Sequence, residues 1–239
     1  MAILRPLLDL LFPPLCHLCR VHIPAAGELH LCDPCRQAIR FIGTPLCSVC
    51  GVPFATEGGM DHRCGECTDS PPPFSAARSV AHFDGPVQEL VHRLKYGHRV
   101  HLRRPLALLF VERLGSFLAD ASPQVVVPVP LHRRRLAERG FNQAALIGRP
   151  VAAALGIPLD PLALARSRAT AAQVSLHADE RMRNVRGAFE LRRPESVRGK
   201  RVLLLDDVYT TGSTVRECAR VLRKGGASEV YVATAARAL

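Results

Sequence analysis

The sequence predicts an α/β fold built on a parallel sheet and preceded by a small cysteine-rich module. Residues 201–235 have the pattern of a strand, a helix and a second strand, and residues 124–130 contain the continuous valine run of a strand buried on both faces. Eight of the nine cysteines lie between residues 16 and 67. With 239 residues and 48% hydrophobic content, the chain can bury one ordinary core and a small second module.

The cysteine pattern is typical of a metal site. Eight cysteines form four Cys-x-x-Cys pairs, with 12 residues between the first and second pairs and 13 between the third and fourth. Tight turns that each present two thiolates suit tetrahedral Zn²⁺, so we predict two structural Cys₄ zinc sites. Sequential pairing fits this spacing, and so does a cross-brace that joins the first pair to the third and the second to the fourth. The predicted ligands are Cys16, Cys19, Cys32, Cys35, Cys47, Cys50, Cys64 and Cys67.

Other uses of these cysteines fit less well. Disulfides are typical of secreted proteins, and we expect no cleavable secretion signal in this sequence. An iron–sulfur cluster does not explain the twofold repeat of the pairs. The ninth cysteine, Cys218, is expected to pack in the core. Four histidines of the module are expected at the surface: His17, His22, His30 and His62.

Charge is divided unevenly along the chain. Residues 1–74 hold 5 basic against 7 acidic groups, whereas residues 75–239 hold 27 against 14, a formal +13. Arg accounts for 29 of the 32 basic residues and suits phosphate, so an anionic ligand or partner is plausible; an Arg-rich composition explains the preference equally well. Since no apolar run approaches the roughly 18 residues of a spanning helix, we expect a cytoplasmic protein with no membrane span.

Three consecutive prolines end the cysteine-rich part, and we therefore predict two domains, residues 1–73 and residues 74–239. Weak alternation of apolar residues predicts a strand over residues 76–83. Apolar residues at helical spacing predict helices over residues 86–96 and 104–118, and both helices are expected to cover a sheet.

The middle of the second domain is polar and basic. Residues 131–143, which follow the valine-rich strand, are predicted to form a basic loop. Asn142 suits the N-cap of a helix that ends at Leu155. Residues 166–184 show no sustained period and are predicted to form a long mobile loop before a short strand at residues 188–191.

The last part of the chain has the clearest pattern. A buried strand is predicted over residues 201–206, a loop over residues 207–213, a helix over residues 214–224 and another strand over residues 229–235. This order is a βαβ unit of a parallel sheet.

An acidic pair and a hydroxyl-rich loop lie where the strand of residues 201–206 ends. Asp206 and Asp207 can accept hydrogen bonds from two vicinal hydroxyls at the carboxyl end of the strand. The loop after them offers backbone N–H groups and hydroxyls to a phosphate at the positive end of the next helix. A diol followed by a phosphate is the layout of a ribose 5-phosphate. The loop residues are Thr210, Thr211, Gly212, Ser213 and Thr214.

The segment VLLLDDVYTTGST resembles the phosphoribosyl-pyrophosphate loop of the type I phosphoribosyltransferases and departs from it only at Tyr209, where an aliphatic residue is usual. The four cysteine pairs and the segments LKY, PVPLHRRRLAERGFNQ, RSRATAAQ and RMRNVRGAF resemble the ComF/GntX family over nearly the whole chain. The resemblance implies a type I phosphoribosyltransferase fold with an N-terminal double zinc ribbon. It also implies a role in handling DNA or its nucleotides during uptake.

The resemblance implies roles for individual residues. Asp206 and Asp207 would hold the ribose hydroxyls during a transfer through an oxocarbenium-like centre, with magnesium bound to phosphoribosyl pyrophosphate. Thr210 stands where purine-type relatives usually carry a carboxylate, so the usual purine chemistry is not implied. The resemblance implies further ligand contacts in two loops. They are Arg133, Arg134, Arg135 and Arg139 in a pyrophosphate loop, and Arg168, Gln173 and Arg181 in a loop that closes over the site.

Three interpretations of the function stay open. The first is a phosphoribosyltransferase whose acceptor is unidentified. The second is a non-catalytic module that binds phosphoribosyl pyrophosphate, a nucleotide or single-stranded DNA. The charge of +13 favours DNA, whereas the absence of Trp and an aromatic content of 5% do not. The third is an adaptor whose zinc ribbons dock a helicase-like partner.

Overall fold

The computed structural model describes residues 13–24, 27–56, 58–168 and 185–239. The helices and strands of these residues are α1 (Asp33–Gln37), α2 (Gly65–Asp69), β1 (Ala76–His82), α3 (Gly85–Tyr96), α4 (Arg103–Ala121), β2 (Val125–Pro128), α5 (Arg133–Arg139), α6 (Gln143–Leu155), β3 (Leu164–Arg166), β4 (Phe189–Leu191), β5 (Arg201–Tyr209), α7 (Ser213–Lys224) and β6 (Glu229–Arg237).

Four parallel strands form the central sheet, in the order β1-β6-β5-β2. The predicted parallel α/β fold is therefore confirmed. Beyond β2 the chain adds a short parallel contact, because the Val126 N–H donates to the Pro158 carbonyl at 2.9 Å and the Asp160 N–H to the Val126 carbonyl at 2.9 Å. β5 lies inside the sheet, as expected of a strand that is apolar on both faces.

Alternate residues of β5 divide the core into two layers. Leu203 and Leu205 pack with the buried side chains of α3, α4 and α6 on one face of the sheet. Val202 and Leu204 pack with α7 on the other face, where Cys218 is fully buried as predicted. Both faces of the sheet are thus covered by helices, which is the usual arrangement of a parallel sheet.

The cysteine-rich part packs directly onto the sheet. Residues 40–42 run antiparallel to the outer edge of β1, where the Ile42 N–H donates to the Val80 carbonyl at 3.1 Å. Leu31 and Ile39 are buried in the core that α3 and α4 share. These contacts mean that the ribbons and the sheet stabilise each other. The domain boundary between residues 73 and 74 stays a prediction.

Two segments differ from the sequence prediction. Residues 131–143 do not form only a loop, because α5 lies within them, capped by the His132 ring that accepts the Arg134 N–H at 3.3 Å. β5 extends to Tyr209, so Asp207, predicted to begin the loop, lies inside the strand with Asp206. The physical reason is that β6 continues alongside and pairs Tyr209 with Arg237. The backbone of the pair is consequently held by its pairing with β6.

Of the predicted loop at residues 166–184, the structure describes residues 166–168. β3 and β4 form a two-stranded antiparallel ribbon that brackets this segment. Residues 169–184 lie outside the described residues. Within the described parts of the chain, no helix is long and apolar enough to cross a membrane.

Candidate functional site

A cleft of about 580 Å³ opens at the carboxyl edge of the central sheet. The ends of β2 and β5, the start of α7 and the C-terminal turn of α3 surround it. Open parallel sheets place ligand sites at this edge because the loops and helix N-termini converge there. The charged side chains that line the cleft include Lys95, Arg135, Arg139, Arg166, Asp206 and Asp207.

The acidic pair is held in place by its own backbone. Asp206 Oδ1 accepts the Asp207 N–H at 2.9 Å, and Asp207 Oδ1 accepts the Val208 N–H at 2.9 Å. Burial, together with the neighbouring charge of Asp207, raises the pKa of Asp206 well above its usual range. The positive charge of Lys95 opposes this rise in the pKa of Asp206. The Lys95 Nζ lies 2.6 Å from Asp207 Oδ2. The pair therefore offers fixed acceptors to hydroxyls inside the cleft.

The loop between β5 and α7 forms a tight turn. Gly212 has a φ of 75°, and a Cβ at this position would collide with the hydroxyl of Tyr209. Thr211 Oγ1 lies 2.8 Å from Ser213 Oγ, so the two hydroxyls fix each other. α7 begins at Ser213, and its first N–H groups carry the positive end of the helix dipole. This turn is a suitable place for a phosphate.

The structure brings together some of the predicted basic residues and separates others. Arg139 lines the cleft, bonds Gln143 Oε1 at 2.8 Å and stacks over the Tyr96 ring at 5.3 Å. Arg133 instead borders a neighbouring hollow, and Arg135 of the same helix lines the cleft. Arg168 donates to the Arg186 carbonyl at 2.8 Å. Gln173 and Arg181 lie outside the described residues.

The eight cysteines gather into two clusters. The thiols of Cys16, Cys19, Cys32 and Cys35 lie within 4.8 Å of one another, and so do those of Cys47, Cys50, Cys64 and Cys67. The pairing is therefore sequential, and the cross-brace is excluded. Four thiols on two tight turns are the donor set of a structural zinc site. The two predicted Cys₄ zinc-binding sites are thus present.

Each cluster is prepared to hold a thiolate. Burial alone would raise the pKa of Cys16 and of Cys47. Hydrogen bonds from backbone N–H groups outweigh this effect and lower the pKa to about 6 in each case. The N–H of Cys32 reaches Cys16 Sγ at 3.5 Å, and that of Cys64 reaches Cys47 Sγ at 3.3 Å. These bonds favour the charged sulfur that zinc requires.

The histidines do not join the thiol clusters of the described residues. His22 and His62 are exposed as expected. His17 and His30 are half-buried, with ring centres 5.3 Å apart, and His17 also contacts His101 at 5.1 Å. These rings help to pack the first ribbon against the turn before α4.

Two segments of the chain match known protein families. Residues 7–68 match the double zinc ribbon domain, and residues 142–239 match the phosphoribosyl transferase domain. The DNA utilization protein YhgH of Escherichia coli is 40% identical over 92% of this chain and 95% of its own length. The chain belongs to the ComF/GntX family.

This ComF/GntX member is also similar to a second relative and to a solved structure. Competence protein F of Haemophilus influenzae is 33% identical over 90% of this chain and 96% of its own length. Among solved structures, the glutamine phosphoribosylpyrophosphate amidotransferase of B. subtilis is 29% identical and covers 51% of this chain and 25% of its own, with a TM-score of 0.34.

The second zinc site of this family member is joined to the cleft by two arginines. Arg237 donates to the Cys50 carbonyl at 2.7 Å, and its guanidinium lies 4.2 Å from the centre of the Tyr209 ring. Tyr209 in turn packs against Gly212 of the hydroxyl-rich turn between β5 and α7. From α7, Arg216 bonds Glu66 of the second ribbon at 2.8 Å. The second ribbon therefore supports the turn from behind.

The sequence predictions give no role to two of the cleft residues, Lys95 and Arg166. Lys95 belongs only to the LKY segment, and Arg166 only begins the predicted loop of residues 166–184. A signal for Lys95 was present, because Lys is rare in this Arg-rich chain and this one lies at the end of an amphipathic helix. Its position beside Asp207 depends on how α3 packs against the sheet, which no local pattern specifies.

Proposed function

We propose that the cleft binds phosphoribosyl pyrophosphate or a related phosphoribosyl ligand. The observation that carries this proposal is the order of groups at the end of β5. The carboxyl groups of Asp206 and Asp207 come first, and a hydroxyl-rich turn at the start of α7 follows within the same cleft. The carboxylates suit the ribose hydroxyls, and the turn suits the 5-phosphate.

The basic side chains of the cleft suit the remaining diphosphate. Arg135, Arg139 and Arg166 line the same cavity and can form paired hydrogen bonds to phosphate oxygens. Magnesium bound to such a ligand would neutralise part of its charge. The chain's own contribution is to hold the ribose and the phosphates and to exclude water.

We also propose that the cleft could catalyse a ribosyl transfer. A ribosyl transfer needs a stabilised cationic centre and a leaving diphosphate, for which the acidic pair and the arginines are suited. Thr210 offers no carboxylate to deprotonate a base, so any acceptor would need little help from the protein. Pyrophosphate release with the four common bases, orotate and a DNA oligonucleotide would test this. Tight binding without release for every acceptor would leave a binding module.

Titration calorimetry with phosphoribosyl pyrophosphate and Mg²⁺ tests the binding itself. We expect saturable binding that is much tighter than that of ribose 5-phosphate or of pyrophosphate, because each fragment makes only part of the contacts. Pyrophosphate that binds as tightly as the whole ligand would indicate simple attraction of a polyanion. Failure of the whole ligand to bind would contradict the proposed function.

Single-stranded DNA is a second candidate ligand, favoured by the excess of positive charge. Exposed arginines of α5, among them Arg133 and Arg134, continue the basic surface outward from the cleft. A phosphate backbone could follow these groups, and the names of the relatives YhgH and competence protein F agree with a role in DNA handling.

Binding of a labelled oligonucleotide at increasing salt concentration would test this second function. Affinity should fall steeply with salt, and Arg133→Ala should reduce the slope of the logarithmic plot by about one. The matched control is Arg198→Ala, an exposed residue that precedes β5 and so lies at the opposite edge of the sheet. Equal losses in the two variants would indicate nonspecific attraction by net charge.

We also propose that the protein acts in the cytoplasm. Eight thiols arranged for zinc require a reducing compartment, which fits the cytoplasm. A helicase-like partner would dock on the exposed part of the ribbons, since their buried part contacts the sheet.

A further inference from the structure

Lys95 occupies an unusual place among the charged residues of the cleft. It lies in the last turn of α3, where the preceding Leu94 is fully buried and fixes the helix against the core. The Lys95 side chain is 17% exposed and that of Asp207 is 6% exposed, so their ion pair is largely shielded from water. The other two lysines of the sequence, Lys200 and Lys224, are remote from the cleft lining.

The charges around this pair do not balance without a cation. Asp206 and Asp207 are adjacent carboxylates at the base of a narrow cleft, and their mutual repulsion would favour protonation of one of them. The ligand class proposed above is itself a polyanion that must approach these carboxylates. A positive group between the two is therefore needed, as a divalent metal or as a side chain.

The shape of lysine suits that position. An ammonium is a compact charge with three donors, so it can keep its contact with Asp207 and still donate to a second anion. A guanidinium is planar and larger, and its forked donors suit paired hydrogen bonds to phosphate oxygens. The cleft thus combines the forked donors of three arginines with one compact charge in contact with Asp207.

We propose that Lys95 is a resident cation that takes the place of a protein-bound divalent metal between the acidic pair and the anionic ligand. In the free protein it balances Asp207. With the ligand in place it bridges Asp207 and the ligand's phosphate oxygens. The only Mg²⁺ then required is the ion that arrives on the diphosphate. This inference rests on the proposed phosphoribosyl site for its second part, whereas its first part concerns the free protein.

Mg²⁺ alone tests the part that needs no ligand. In the full-length wild-type protein, Mg²⁺ should leave the melting temperature unchanged because the ammonium occupies the position. Lys95→Met keeps nearly the length of the side chain and removes its charge. In this variant Mg²⁺ should raise the melting temperature, because it would bind the acidic pair that has lost its cation. The double variant Lys95→Met with Asp207→Asn should lose this response. A response to Mg²⁺ in the wild type equal to that in Lys95→Met would overturn the inference.

Phosphoribosyl pyrophosphate tests the second part. Calorimetry at several Mg²⁺ concentrations should show that Lys95→Met binds about tenfold more weakly or worse when Mg²⁺ is limiting, with partial recovery in excess Mg²⁺. Lys95→Arg should retain more affinity than Lys95→Met, because it keeps the charge. The matched control Lys224→Met, an exposed residue at the far end of α7, should behave like the wild type.

The outcomes separate the two proposals. If the wild type does not bind the ligand, the proposed function fails and the bridging role fails with it. If the wild type binds and Lys95→Met shows the same affinity and the same Mg²⁺ dependence, only the inference about Lys95 is overturned. A loss of affinity with no change in Mg²⁺ dependence would assign Lys95 a structural role and would also overturn it.

Discussion

Cys64→Ser should leave one zinc ion per chain in place of two and should lower the melting temperature by about 10 °C or more. Ser is a poor zinc ligand, and Cys47, Cys50 and Cys67 form a buried cluster that the metal organises. Elemental analysis and calorimetric melting would measure both effects. Cys218→Ser is the matched control, because it changes a buried cysteine outside the clusters and should keep both zinc ions.

A comparison with Cys16→Ser sharpens this result. That variant should also lose one zinc ion, since the two clusters are separate. Affinity for phosphoribosyl pyrophosphate should fall more in Cys64→Ser, because Arg237 and Arg216 connect the second site to the turn that we propose for the phosphate. Loss of both metals in either single variant would contradict independent sites. Equal affinities in the two variants would contradict the support of the turn by the second ribbon.

Asp207→Asn should weaken the binding of phosphoribosyl pyrophosphate about 10- to 100-fold, the size expected for charge-assisted hydrogen bonds. Asn keeps an oxygen that can accept the Val208 N–H, so the backbone at the end of β5 should not change. The lost ion pair with Lys95 is offset by relief of the repulsion with Asp206. The melting temperature of the ligand-free variant should therefore stay close to that of the wild type.

Calorimetric titration and melting of the same samples would test this expectation. Asp120→Asn, at an exposed position near the end of α4, is the matched control and should bind like the wild type. Thr211→Ala should also weaken binding, because its hydroxyl belongs to the turn that we assign to the phosphate. Unchanged affinity in Asp207→Asn would mean that the ligand site lies elsewhere.

Features encoded by neighbouring residues could be predicted from the sequence. The Asn142 cap is one example, since its Oδ1 accepts the N–H groups of Ala144 and Ala145 at 2.9 and 3.3 Å. The buried strand β5 is another, because its continuous apolar run fits only a sheet covered on both faces. The helix α5 was missed because its seven residues are mostly charged and carry almost no apolar period.

The sequence by itself determined which chemical groups this protein offers to metals and ligands: four cysteine pairs, an acidic pair and a hydroxyl-rich turn. Each lies within a short segment and can be recognised without knowledge of the rest of the chain. Only the tertiary structure decided which cysteine pairs share a site and how the second ribbon reaches Tyr209 through Arg237. It also decided that Lys95 faces Asp207. These contacts join segments far apart in the chain, and they depend on helix packing and strand register, which the summed burial of the whole core fixes.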